Sequence, residues 1–133
     1  MSSRREARER ALQVLYSVVI GDRKPLEAVS DVVGERADGE QRRFVEELAL
    51  GTLEYAEQAD RIVGPLLEGW AIERLPTIDR LILEMATFEL RCRPDTPKAV
   101  AISEAVALAK RFSTEDSGRF VNGVLSAVAN AQA

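Results

Sequence analysis

PKAVAISEAVALAKRFSTEDSGRFVNGVLSAV, Pro97 to Val128, holds two helical periods in succession, separated by a short polar turn. At 100° per residue from Ile102, the apolar side chains Ala101, Ile102, Ala105, Val106, Leu108, Ala109 and Phe112 fall in one arc of about 160°. Ser103, Glu104, Lys110 and Arg111 occupy the other side. After the turn, Phe120, Val121, Val124, Leu125 and Val128 repeat the stripe, with Arg119, Asn122 and Ser126 on the opposite flank. Each helix is expected to bury one face and show the other. Asn122-Gly123 is a hairpin signal in isolation, but helical periodicity on both sides overrides it. A helical glycine costs roughly 1 kcal/mol relative to alanine, so Gly123 points to close approach of another backbone or a ligand. Thr96-Pro97 supplies an N-cap and a first-turn proline, and Ser113-Thr114-Glu115-Asp116 supplies hydroxyl caps and acids for the next helix. On pattern alone, a buried helical hairpin with no function of its own is the favoured reading of the stretch.

Outside this stretch, composition sets the limits. The 133 residues, 46% hydrophobic and 30% charged, suffice for one globular domain. No apolar run approaches the roughly 20 residues of a membrane span, and the charged start lacks the core of a signal peptide, so a cytoplasmic protein is expected. Cys92 is the single cysteine and there is no histidine, which removes the usual catalytic dyads and most zinc sites. The net charge of -4 is unevenly spread. Arg4, Arg5, Arg8 and Arg10 against Glu6 and Glu9 make the first 13 residues +2, which leaves the remainder at -6. An acidic body repels nucleic acid in general, so any such binding must be local.

From the N-terminus, residues 3–20 read as a helix with Ala7, Ala11, Leu12, Val14, Leu15, Val18 and Val19 on one side. Counted from Ala7, Arg4, Arg5 and Arg8 lie at about 60°, 160° and 100°, on or beside the apolar arc, and Tyr16 lies about 20° from Arg5. Arginines that continue a core stripe belong where a helix overhangs the body and faces a cleft or partner; a frayed, unoccupied terminus is the other reading. Gly21-Asp22 ends this helix and Pro25 begins a short one with Leu26, Val29, Val32 and Val33. After a polar loop, Asp38 is the expected N-cap of a third helix with Phe44, Val45, Leu48 and Leu53 inward. A fourth segment, Ile62, Val63, Leu66 and Leu67, is interrupted by Gly64-Pro65, and Trp70 follows as an expected packing anchor. A fifth helix, residues 78–91, turns Ile78, Leu81, Ile82, Met85, Ala86 and Phe88 inward. Asp79 in its first turn is stabilised by the macrodipole, and Glu89, inside the apolar arc, needs a donor or cation.

Four segments together, RREARERALQVLY (4–16), IDRLILEMATFEL (78–90), VAISEAVALAKRF (100–112) and DSGRFVNGVL (116–125), resemble the NusB family of transcription antitermination factors. The resemblance runs nearly end to end and keeps order and spacing. It implies an all-α fold of about seven helices in two subbundles, forming one NusB-like RNA-binding domain over residues 1–133. It also implies binding of boxA RNA together with NusE, a small-subunit ribosomal protein, so that RNA polymerase reads through terminators in ribosomal RNA operons. The family includes monomers and homodimers.

Carried over by position, the resemblance gives RNA phosphates to Arg4, Arg5 and Arg8, and bases and backbone to Phe112, Arg119 and Phe120. Asp116 would lie near the RNA, Tyr16 near the RNA or NusE surface, and Asp79 with its neighbour Glu73 on the side toward NusE. Three positions depart from the family pattern: Glu6 in the arginine tract and Glu84 stand where basic residues are common, and Ser103 where asparagine is frequent. Phe112 and Phe120 sit near the edges of their arcs, between core and surface. A helical adaptor without RNA binding is the alternative of a different class. A NusB-like domain also precedes the catalytic domain of certain ribosomal RNA cytosine methyltransferases, but these 133 residues contain no Gly-rich cofactor loop, and a non-enzyme without cofactor or metal is expected.

Overall fold

The computed structural model describes residues 3–34 and 39–131. Among them are six α-helices, α1 (Arg4–Val19), α2 (Pro25–Val33), α3 (Gly39–Val63), α4 (Thr77–Cys92), α5 (Lys98–Phe112) and α6 (Glu115–Ala131), with 3-10 turns at Gly64–Leu66 and Ile72–Arg74. No strand occurs among the described residues, in line with the all-helical expectation. Asp38, the expected cap of α3, lies outside them. Cα packing divides the chain into two units, Met1–Glu54 and Tyr55–Ala133.

In the first unit, α1 packs on α2. The Ser3 hydroxyl accepts the Glu6 backbone N–H at 3.0 Å, so Glu6 serves the start of the helix, an acid at the positive end of its dipole. That accounts for an acid within the arginine tract. Ala7, Ala11, Leu12, Val14 and Leu15 are buried, as are Ala28, Val29, Phe44, Val45, Leu48 and Ala49. The apolar stripes run past the core at their ends, since Val19, Ile20 and Leu26 are exposed. Gly21 is required where α1 stops: a Cβ there would stand 2.6 Å from the Ser17 carbonyl oxygen.

The expected third helix and fourth segment are one helix. α3 runs 25 residues without a break at Gly51 and stops at Gly64-Pro65, where the chain tightens into a 3-10 turn. In the second unit α4 is buried on most sides, with Leu81, Ile82, Leu83, Met85, Ala86 and Leu90 in the core. α5 packs on α4 and most extensively on α6, presenting Ala101, Ala105, Leu108 and Ala109 to the core. Small residues at every third or fourth position let the two helices approach closely. α6 contributes Val121, Val124, Leu125 and Val128, each worth about 1.5–3 kcal/mol when fully buried. Thr114 caps α6, its Oγ1 accepting the Ser117 N–H at 3.0 Å. Thr96 does not cap α5: the helix starts at Lys98 with Pro97 at the cap position and no side-chain cap bond.

Gly123 is continuous helix, so the hairpin signal is overridden as expected. The close-backbone reason for it is corrected, however: a Cβ at Gly123 would meet nothing within 4 Å. With no steric need inside the chain, Gly123→Ala is expected to raise stability by about 0.5–1 kcal/mol, seen as a higher urea midpoint at unchanged m-value. A lowered midpoint would show that the backbone there needs glycine.

Candidate nucleic-acid and partner surfaces

On the first unit, the start of α1 brings Arg4 and Arg8 to one aromatic ring. Their guanidinium carbons stand 4.1 Å and 5.4 Å from the centroid of Phe44. Arg4 is exposed and pairs with Glu40 at 3.4 Å, and Arg5 is exposed beside it. Arg8 corrects the picture of three overhanging arginines, because it is only 4% exposed. Its angle falls inside the apolar arc, and the ring of Phe44 gives its cation a partner that desolvation does not remove. Arg10 donates to Gln41 Oε1 on α3. Tyr16 is exposed, as its angle beside Arg5 implied, and Val19 and Ile20, also exposed, follow it on the helix.

On the second unit, four of the residues expected to meet RNA or protein, Asp79, Asp116, Arg119 and Phe120, line two concavities that share Phe120. Arg119 and Phe120 line a groove of about 440 Å³ together with Leu66, Trp70 and Gly123. Trp70 is 59% exposed, so it is part of this surface and not the packing anchor expected of a lone tryptophan. Gly123 opens onto the same groove, which leaves the ligand half of its expected role in place. Arg119 pairs with Asp116 one turn before it, and both are exposed. Phe112 is 38% exposed with the Arg111 guanidinium 5.2 Å from its ring centroid.

Phe120 also lines a separate cavity of about 220 Å³, whose lining includes Trp70, Leu75, Pro76, Asp79 and Asp116. Asp79 is 4% exposed and so does not sit on an open face. Its Oδ2 accepts from Ser117 Oγ at 2.9 Å, and Ser117 Oγ in turn accepts from Thr114 Oγ1 at 3.0 Å. Asp79 Oδ1 is buried and has no hydrogen-bond partner among the described residues. Glu73, in the 3-10 turn before α4, is exposed. Residue spacing places Asp79 in a first helical turn but carries no sign of the hydroxyl contact from 38 residues further on.

A third cluster escaped the sequence reading. Arg80 donates to Asp60 Oδ2 at 2.9 Å and pairs with Glu84 Oε2 at 3.5 Å, so two carboxylates share one guanidinium. Burial, followed by hydrogen bonding with Asp60 and its charge, pushes Glu84 up to about 8. Glu84 is therefore no surface replacement for a basic residue; it belongs to the packing of α3 on α4. The spacing of Arg80 and Glu84, one helical turn, was the available signal. Ser103 is exposed on α5. Glu89 is 2% exposed and makes a polar or electrostatic contact, as its place in the arc requires.

The sequence pattern of the NusB family matches residues 5–130. A transcription antitermination protein NusB from Geobacillus kaustophilus is 44% identical over 125 residues, covering 94% of each chain. One from Desulforamulus reducens is 42% identical over 123 residues, 92% of this chain and 86% of that protein. Among solved structures, NusB of T. maritima superimposes with a TM-score of 0.90 at 32% identity, covering 97% of this chain and 92% of that one. A chain from a complex of the antitermination factors NusB and NusE with double-stranded RNA gives 0.87 at 29% identity, covering 96% of both.

Proposed function

The chain belongs to the NusB family, and from that premise we propose that it binds boxA RNA of ribosomal RNA operon leaders together with NusE, so that RNA polymerase reads through terminators. The role is regulatory and not catalytic, it is exercised in the cytoplasm, and residues 1–133 act as one RNA-binding domain. The observation that carries the RNA part is the groove on the second unit, which Arg119, Phe120 and Trp70 line together. A single strand is held by such a combination, bases stacking on aromatic rings while a cation follows the backbone. Phe112 adds a second exposed ring, and Asp116 orients Arg119. On the first unit Arg4 and Arg5 take phosphates, and Arg8 stiffens the platform through Phe44. Tyr16, Glu73 and Asp79 face NusE.

Two exposed tip arginines and one in the groove make few phosphate contacts, and the chain beyond residue 13 carries -6. Alone, the protein is therefore a weak RNA binder. A basic ribosomal protein beside Asp79 offsets part of that acidity and extends the positive track, so that both proteins hold one RNA. By linkage, RNA tightens the protein pair by the factor with which NusE tightens RNA binding, at least about tenfold, or 1.4 kcal/mol. Titration of boxA RNA with and without saturating NusE in one buffer measures the factor. Equal affinities would overturn the cooperative mechanism, and no RNA binding in either arm would leave a helical adaptor.

A further inference from the structure

Asp79 presents a problem that the fold itself does not solve. A buried carboxylate oxygen left without a donor costs free energy, yet Oδ1 has none among the described residues although Oδ2 is well bonded to Ser117. Asp79 also lines a cavity with the apolar side chains Trp70, Leu75, Pro76 and Phe120 and the hydroxyl residues Thr114 and Ser117. Its volume of about 220 Å³ falls below the roughly 300 Å³ at which drug-sized sites begin, and so suits a side chain better than a whole ligand. Asp116, the other acid of the lining, is already paired with Arg119. The cavity thus has in its wall an acid with one buried, uncommitted oxygen, beside apolar and aromatic side chains.

We propose that this cavity is a socket for a single arginine or lysine side chain of the protein partner, its aliphatic stem on Trp70, Leu75, Pro76 and Phe120 and its charged head on Asp79 Oδ1. The proposal rests on the reading of Asp79 as a residue of the NusE interface and says what that interface does there. Long cationic side chains have this two-part chemistry: an apolar stem that prefers to leave water and a head that does so only against a carboxylate. A charge-assisted bond to a carboxylate is about twice as strong as a neutral one, and a guanidinium also stacks on aromatic faces. A phosphate is repelled here, because the lining holds two acids, Asp79 and Asp116, and no basic residue.

Trp70 is the only tryptophan, so its emission reports on the cavity directly. The probe is n-propylguanidinium, titrated at constant ionic strength, with the neutral isostere n-propylurea and the nucleoside cytidine as parallel arms. A saturable change with n-propylguanidinium is expected, with n-propylurea at least about tenfold weaker. Asp79→Asn keeps an acceptor for Ser117 and turns the free oxygen into a donor, so it is expected to weaken the probe, and NusE, at least about tenfold. The comparison of charged and neutral probes uses the native protein and so does not depend on the folding of the variant. Equal response to both probes, no saturable response to the cation, or saturation by cytidine alone would overturn the socket. NusE binding that is intact in Asp79→Asn would also overturn it, while leaving Tyr16 and Glu73 as the partner surface. Failure of NusE to bind the native protein at all would strike the partner reading itself.

Discussion

Alanine at both Arg4 and Arg5 is expected to weaken RNA binding about 25-fold at about 0.1 M salt and to flatten its salt dependence by about 1.4 log units per log unit of salt. The figures follow from two phosphate contacts at roughly 0.7 released counterions each on a single strand. Arg8 is left out because its burial takes it off the surface that a phosphate reaches. The thermal midpoint of the double variant should fall only slightly, since an exposed pair such as Arg4–Glu40 is worth about 0–1 kcal/mol and an exposed cation–π contact about 0.5–1. Arg8→Ala should behave in the opposite way, destabilising the first unit by about 1–3 kcal/mol through lost packing and lost polar contacts, with the salt slope unchanged. Fluorescence anisotropy across a salt series, with a melt of each variant, separates the two. An unchanged slope in the double variant would show that the tip does not hold phosphate.

The contrast between these arginines shows where the sequence was legible. Helical periodicity located α1, α2, α4, α5 and the start of α6 to within one or two residues, because an apolar stripe one turn wide is set by the chain's own geometry. It divided α3 into two segments, whereas the burial of Leu48, Ala49, Ala59 and Val63 runs along one continuous helix. Arg8 was placed at the right angle and given the wrong environment. Its angle said core, its charge said surface, and the deciding group, Phe44, lies 36 positions away with nothing local to announce it.

Trp70 and Asp79 failed in the complementary direction. A lone tryptophan was expected inside on hydrophobicity, but Trp70 follows Gly69, whose φ of 77° turns the chain, and it sits in a connection with no helix to carry it into the core. Asp79 was expected at the start of its helix on the side toward the partner, and it is buried there. The N-cap of α6 brings Ser117 against it, a long-range contact made by residues that each looked purely local. Hence the candidate groove and cavity could be named residue by residue only in part. Phe120, Arg119, Asp116 and Asp79 were available from resemblance, whereas the fact that they line two adjoining concavities sharing Trp70 and Phe120 depends on tertiary packing.

Glu84 gives the largest stability effect that the structure implies. With both carboxylates ionised, Asp60 and Glu84 have no proton to share and compete for Arg80, and Asp60 Oδ1 is buried without a donor among the described residues. One proton on Glu84 creates the missing donor, which is why burial and Asp60 together push Glu84 from 4.5 up to about 8. Because the folded state holds this proton more tightly than the unfolded chain does, its stabilisation is complete below about pH 4.5. It is lost progressively as pH rises through about 8. The limiting slope is about 1.4 kcal/mol per pH unit, and sharing of the proton with Asp60 and the attraction of Arg80 reduce it. Glu84→Gln carries a permanent donor for Asp60 and a permanent acceptor for Arg80. The variant is therefore expected to match the parent near pH 5 and to exceed it by about 2–3 kcal/mol at pH 8.5, or on the order of 10 °C in thermal midpoint. Urea unfolding of both proteins from pH 5 to pH 9 measures the difference directly. Parallel stability curves would show that Glu84 is ionised throughout and that Arg80 alone satisfies both acids.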